Sequence, residues 1–176
     1  GVKFKVLITD LLSYYTSPGR TQGKATAFHP CFSHAVNYPI PQGLQKGSMG
    51  GYYTFDEAMA ELDTMLALYP DIISAKTQIG TSFQGRPICS LKISDNPNSN
   101  ENEPQVLYTA VHHSQEPASL QQLIGFMYYL LENYGSNAEV DYLVNNTELY
   151  FIPVVNPDGY AYNEQQSPNG GGLHRK

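Results

Sequence analysis

Two histidines and a glutamate stand together in Val111-His112-His113-Ser114-Gln115-Glu116-Pro117. Neutral imidazole nitrogen and carboxylate oxygen are both zinc ligands, at about 2.0–2.2 Å. His113 and Glu116, three residues apart, can turn toward one point if the chain bends between them, and Pro117 stiffens the exit. On spacing alone the pair also suits a plainer arrangement. A loop His can bond to the backbone, and a Glu near a helix N-terminus is favoured by the macrodipole. Further on, Asn156-Pro157-Asp158-Gly159 has the chemistry of a tight turn. The segment Leu173-His174-Arg175-Lys176 is basic and equally at home in solvent.

These residues need a scaffold. The run Val106–Val111 favours β-structure throughout and reads as a strand buried on both faces. Leu120, Leu123, Ile124, Met127, Leu131 and Tyr134 then share one helical face, with Gly135 as a stop. The His-x-x-Glu stretch therefore falls between the end of a strand and the start of a helix. In open α/β sheets, ligands bind beyond the carboxyl ends of strands. Leu149–Val155 reads as a second buried strand, leading into Asn156. Upstream, Thr54-Phe55-Asp56-Glu57 is a capping box for a helix through Phe55, Met59, Leu62, Leu66 and Tyr69, ended by Pro70. Ile72–Ile79 and Pro87–Ile93 read as the strands of a hairpin. Strands alternating with helices predict an α/β fold, with a mixed, mostly parallel sheet and helices on both faces.

Composition bounds the rest. Hydrophobic residues are 41% of the 176 and charged residues 15%, enough apolar content to bury a core. The net charge of −6 argues against a nucleic-acid binder, which needs a basic face. The longest uncharged apolar stretch, around Ser119–Leu131, is shorter than the ~20 residues that span a bilayer. Cys31 and Cys89 provide neither a disulfide framework nor a CxxC pair. Residues 1–50 carry +4 and residues 51–176 carry −10. This places a domain boundary at Gly50-Gly51. The first part reads as a strand over Val2–Ile8, a short helix through Leu12 and Tyr15, and a Pro/Gly-rich linker or end of a pro-region in which His29 and His34 are surface residues. A chain that opens on Gly1 reads as a processed product.

With Pro104, Val106, Tyr108, His113, Ser114 and Glu116 in its places, the chain resembles the carboxypeptidase A/B family of zinc metallopeptidases, bacterial-type members in particular. The first zinc signature of that family runs from Pro or Lys through alternating apolar residues to His-small-x-Glu. Asn156-Pro157-Asp158-Gly159 after a buried strand, and Arg175-Lys176 after Leu173-His174, are similar to two further family segments. The resemblance implies that His113 and Glu116 are metal ligands for one Zn2+ ion, with His112 a non-ligating neighbour. It implies that Arg175 is catalytic, polarising the scissile carbonyl, and contacts substrate. Gln115 stands at a substrate-binding position where the family usually has Arg, and His174 stands in place of the usual Trp.

The same resemblance places the third zinc ligand and the general-base Glu beyond Lys176. Residues 51–176 are then the amino-terminal part of a catalytic domain, inactive by themselves. The implied reaction is hydrolysis of the last peptide bond of peptide or protein C-termini, by a protein secreted from, or periplasmic in, a bacterium. Two alternatives stay open. One is peptidoglycan-peptide hydrolysis or deacylation on the same scaffold; the other is a non-catalytic binding domain that kept the fold.

Overall fold

The Thr54 hydroxyl accepts a hydrogen bond from the Glu57 amide at 3.2 Å, and the Glu57 carboxylate accepts from the Thr54 amide at 2.8 Å. This closed capping box starts helix α1, Phe55–Leu68. Phe55, Ala58, Leu62 and Met65 recur at three and four residues and form its buried face. The computed structural model describes residues 38–176, and Ile40–Lys176 form one compact unit. The expected strand over Val2–Ile8, the short helix after it, His29, His34 and Cys31 lie outside the described residues.

Strands β1, Thr77–Thr81, and β2, Pro87–Ile93, pair antiparallel as the expected hairpin. The first strand starts later than its β-favouring run. Ile72 donates its amide to Tyr69 in a turn, and Ile73 makes only an isolated bridge to Ile93. Next come β3, Gln105–Thr109, then helix α2, Pro117–Asn133, helix α3, Ala138–Asn146, and β4, Glu148–Ile152. Gly135, at φ 81°, follows the α2 cap at Tyr134, a backbone conformation that glycine adopts without strain. The last element is helix α4, Pro157–Gln166. The Pro-Asp-Gly expected to form a turn instead opens this helix. Pro157 occupies its first turn, where its missing N–H costs nothing, and the Asn156 side chain accepts from the Gly159 amide at 3.1 Å.

The strand order is β1-β2-β4-β3. Strand β4 is antiparallel to β2 and parallel to β3. The sheet is therefore mixed rather than mostly parallel. The hairpin reverses direction, and the helical crossover through α2 and α3 makes the only parallel pair among the described strands. Strand β3 stands at the edge, with Val106 38% and Leu107 60% exposed. The expectation of burial on both faces thus fails for it.

The registers place Leu91, Ile93, Leu149, Phe151 and Tyr108 on one face. There Tyr108 stacks on Phe151 with centroids 5.3 Å apart, and Phe126 of α2 meets the Tyr108 ring at 5.2 Å. These residues join the buried residues of all four helices in one core cluster. Helices were expected on both faces, yet every strand residue in this cluster comes from the same one. The opposite face carries Leu107, Tyr150 and a buried ion pair, Lys92 Nζ to Glu148 Oε1 at 2.8 Å. Lys92 also donates to the Ser99 carbonyl, and Glu148 accepts from the Glu101 amide, so the loop between β2 and β3 is bonded onto that face.

Candidate active site

The chain leaves β3 through Ala110, whose amide donates to the Ile152 carbonyl at 3.2 Å. Val111 follows at φ 52°, although it is β-branched and buried. That region is costly for such a side chain and persists only where the surroundings enforce it. Here both its backbone groups are held. The Val111 amide donates to Ser119 Oγ at 3.0 Å, and its carbonyl accepts from the Asn156 amide at 3.0 Å. The reversal carries the chain out of the sheet direction and presents His112 and His113 at the rim.

His113 Nδ1 lies 3.0 Å from Glu116 Oε1. Glu116 is the N-cap residue of α2, but its carboxylate caps no helix amide. Ser119 instead binds the Glu116 carbonyl through its hydroxyl at 2.7 Å, which leaves the carboxylate free to face the imidazole. Arg175 Nη2 reaches His113 Nε2 at 3.0 Å. Guanidinium only donates, so Nε2 accepts here and the imidazole proton lies on Nδ1, toward Glu116; a zinc ion held by Nδ1 and the Glu116 carboxylate would take the place of that proton. Two ligands each about 2.1 Å from one ion must lie within about 4.2 Å of each other. The His113 and Glu116 donor atoms meet that condition, and both side chains are roughly half exposed, at 41% and 50%. The pair fits a zinc ion.

The Arg175 segment is anchored from two sides. Buried Ser114 donates its hydroxyl to the His174 carbonyl at 2.5 Å, and its amide donates to the Arg175 carbonyl at 3.2 Å. Asn163 of α4 donates Nδ2–H to the His174 carbonyl at 2.7 Å and accepts the His174 amide at 3.0 Å. The His174 ring rests against Tyr162, with centroids 4.5 Å apart. Sequence reasoning singled out neither Ser114 nor Asn163 for this task. Ser114 was legible as the small residue of the His-small-x-Glu stretch, whereas nothing local marked Asn163.

His112 turns away, its Nε2 lying 2.8 Å from Thr109 Oγ1. Gln115 is exposed beside Glu116. Asp158 faces the β1–β2 hairpin, accepting from Ser82 Oγ at 2.7 Å, the Gln84 amide at 2.9 Å and Arg86 at 2.8 Å. Burial pushes its carboxyl up, but these bonds together hold it below the usual carboxylate range. Among the described residues, the only three His, Cys, Asp or Glu side chains with ligand atoms mutually within 4.8 Å are Asp95, Glu101 and Glu103. His113 and Glu116 thus stand as a pair, without a third protein donor among those residues.

Residues 58–173 match the family model described as zinc carboxypeptidase. The chain is 35% identical over 130 residues to a zinc carboxypeptidase of Saccharothrix mutabilis subsp. capreolus, a match covering 72% of this chain and 30% of the relative. It is 29% identical over 117 residues to carboxypeptidase A2 of Mus musculus, covering 66% of this chain and 27% of the relative. The fold is similar to the crystal structure of thrombin activatable fibrinolysis inhibitor, with a TM-score of 0.62 at 24% identity, over 77% of this chain and 33% of that one. The chain thus spans about a third or less of the length of each relative. With the family model matched over most of its length, this chain belongs to the zinc carboxypeptidase family.

Proposed function

We propose that the protein carrying this chain is a zinc-dependent metallocarboxypeptidase that removes the last residue from peptide or protein C-termini. The observation that supports this most is the meeting of His113, Glu116 and Arg175 at the rim of the sheet, within 3.0 Å contacts. His113 and Glu116 would hold one Zn2+ ion, with a third protein ligand supplied from outside the described residues. Bound there, zinc supplies a Lewis acid for the carbonyl and lowers the pKa of its water toward about 7.

The chain's own residues would do the remaining work on this side of the site. Arg175 directs a fixed positive charge toward the oxygen on which negative charge develops, often the largest single contribution to catalysis. Its charge is always present, so it needs no proton transfer to act. Gln115 offers a neutral amide donor to the substrate. The general base that takes and returns the proton would come from the same outside region as the third ligand. The reading carries with it a secreted or periplasmic place in a bacterium, which cell fractionation would test. The described residues include no helix long and apolar enough to cross a membrane.

The test uses the full-length protein. One zinc per chain, release of a terminal amino acid from a blocked C-terminal dipeptide, and loss of that activity with phenanthroline are expected. Arg175→Ala should lower kcat about 100- to 1000-fold while zinc is retained. Turnover of muropeptides or acylated amino acids in place of the dipeptide would move the assignment to those bonds. Absence of both zinc and turnover would leave a binding domain.

A further inference from the structure

Asn163 is 4% exposed and lies among the buried residues of α4. Its carboxamide matches the backbone of one residue in another segment, donating to the His174 carbonyl at 2.7 Å and accepting the His174 amide at 3.0 Å. A neighbouring strand would offer the same two bonds. The approach is close. A Cβ added at Gly172 would lie 2.6 Å from Asn163 Oδ1, so the segment can press against this amide only without a side chain there. Ser114 binds the same His174 carbonyl from the His113 side. The residue after this doubly held unit is Arg175, whose guanidinium reaches His113 at 3.0 Å.

We propose that Asn163 is a positioning residue for Arg175. Its two hydrogen bonds to His174 set where the guanidinium sits relative to His113 and Glu116. The proposal rests on the carboxypeptidase reading above. A side chain held by a single turn of flexible backbone would sample many positions. A misplacement of about 1 Å at a catalytic group can cost on the order of 100-fold in rate.

The experiment uses the full-length, zinc-loaded protein with Asn163→Leu, which removes both bonds at similar volume. Asn163→Asp keeps the acceptor, loses the donor, and carries the test if the leucine variant does not fold. On a blocked C-terminal dipeptide, kcat per bound zinc should fall about 10- to 100-fold for the leucine variant and less for the aspartate variant. KM should stay within about twofold and zinc content should be unchanged. Adding Arg175→Ala to either variant should lower kcat no further than Arg175→Ala alone, because both changes disable one group. Unchanged kcat per zinc in a folded variant, a loss carried by KM alone, or losses that multiply with that of Arg175→Ala would each overturn the proposal. If Arg175→Ala itself leaves kcat intact, the carboxypeptidase assignment of Arg175 fails, and that result is separate from those of the Asn163 variants.

Discussion

The Asn156 amide donates to the Val111 carbonyl across 3.0 Å, so the chain leaving β4 is bonded to the residue that turns the chain leaving β3. One turn leads to His113 and Glu116. The other leads into α4, which carries Asn163 and, through it, holds the Arg175 segment. Because the link is backbone to backbone, it does not depend on the Asn156 side chain, which instead caps α4. Asn156→Ala should therefore cost only the cap, about 1 kcal/mol in urea unfolding, with zinc content of the full-length protein unchanged. Loss of zinc in that variant would show that the side chain, and not the backbone bond, keeps the two turns together.

Removing either imidazole or carboxylate should cost far more metal than removing a neighbour. Partners of metal ligands, when replaced, typically lower metal affinity about 10- to 100-fold. His113→Ala and Glu116→Ala should exceed that range, as measured by chelator competition on the full-length protein. His112→Ala should stay near the original affinity, since its ring faces Thr109 rather than Glu116. Loss at His112 equal to that at His113 would mean that the wrong imidazole has been assigned.

Features that rest on neighbouring residues were legible in the sequence. Thr54 and Glu57 form their capping box with each other, and Pro87–Ile93 is a strand throughout. The His-x-x-Glu stretch lies at the strand-to-helix junction where it was expected. What the sequence did not show depends on contacts far along the chain. Nothing within Glu148–Ile152 says that it inserts between β2 and β3, yet that insertion makes the sheet mixed and leaves Leu107 at an edge. Val111, a strand former, adopts φ 52° where Ser119 and Asn156, both outside the pattern that marks the strand, hold its two backbone groups. Asn163 and His174 meet through tertiary packing that no spacing rule anticipates. Pro157-Asp158-Gly159 was misread because the same residues suit a turn and the first turn of a helix.

Gln115 provides a test of substrate contact that leaves the metal alone. It is exposed beside Glu116, at the position where the resemblance expects Arg. If it faces the substrate, Gln115→Arg should add a charge-assisted hydrogen bond and lower KM several-fold, with kcat changed by less than about twofold. Initial-rate kinetics on a blocked dipeptide would show this. An unchanged KM would place residue 115 off the substrate path.

The Lys92–Glu148 pair makes a separate prediction about stability and pH. Glu148 is fully buried and Lys92 nearly so, and they meet at 2.8 Å. The Lys92 ammonium first, and then bonds from the Glu101 amide and Gln105, hold the Glu148 carboxyl down at about 2 against its desolvation. An unfolded Glu titrates near about 4.3. The folded value is depressed, so this stabilisation is fully present above about 4.3 and is lost as pH falls through about 2. Glu148→Gln should remove that part of the acid dependence. At neutral pH the variant leaves a buried ammonium without its counter-charge, a change that typically costs about 3–5 kcal/mol. Adding Lys92→Met should recover part of that loss, because the uncompensated charge is gone. Urea unfolding of the full-length protein at pH 7 and pH 3 would measure both effects. A Glu148→Gln variant as stable as the original at pH 7 would mean that the pair contributes nothing to holding the loop between β2 and β3 against the sheet.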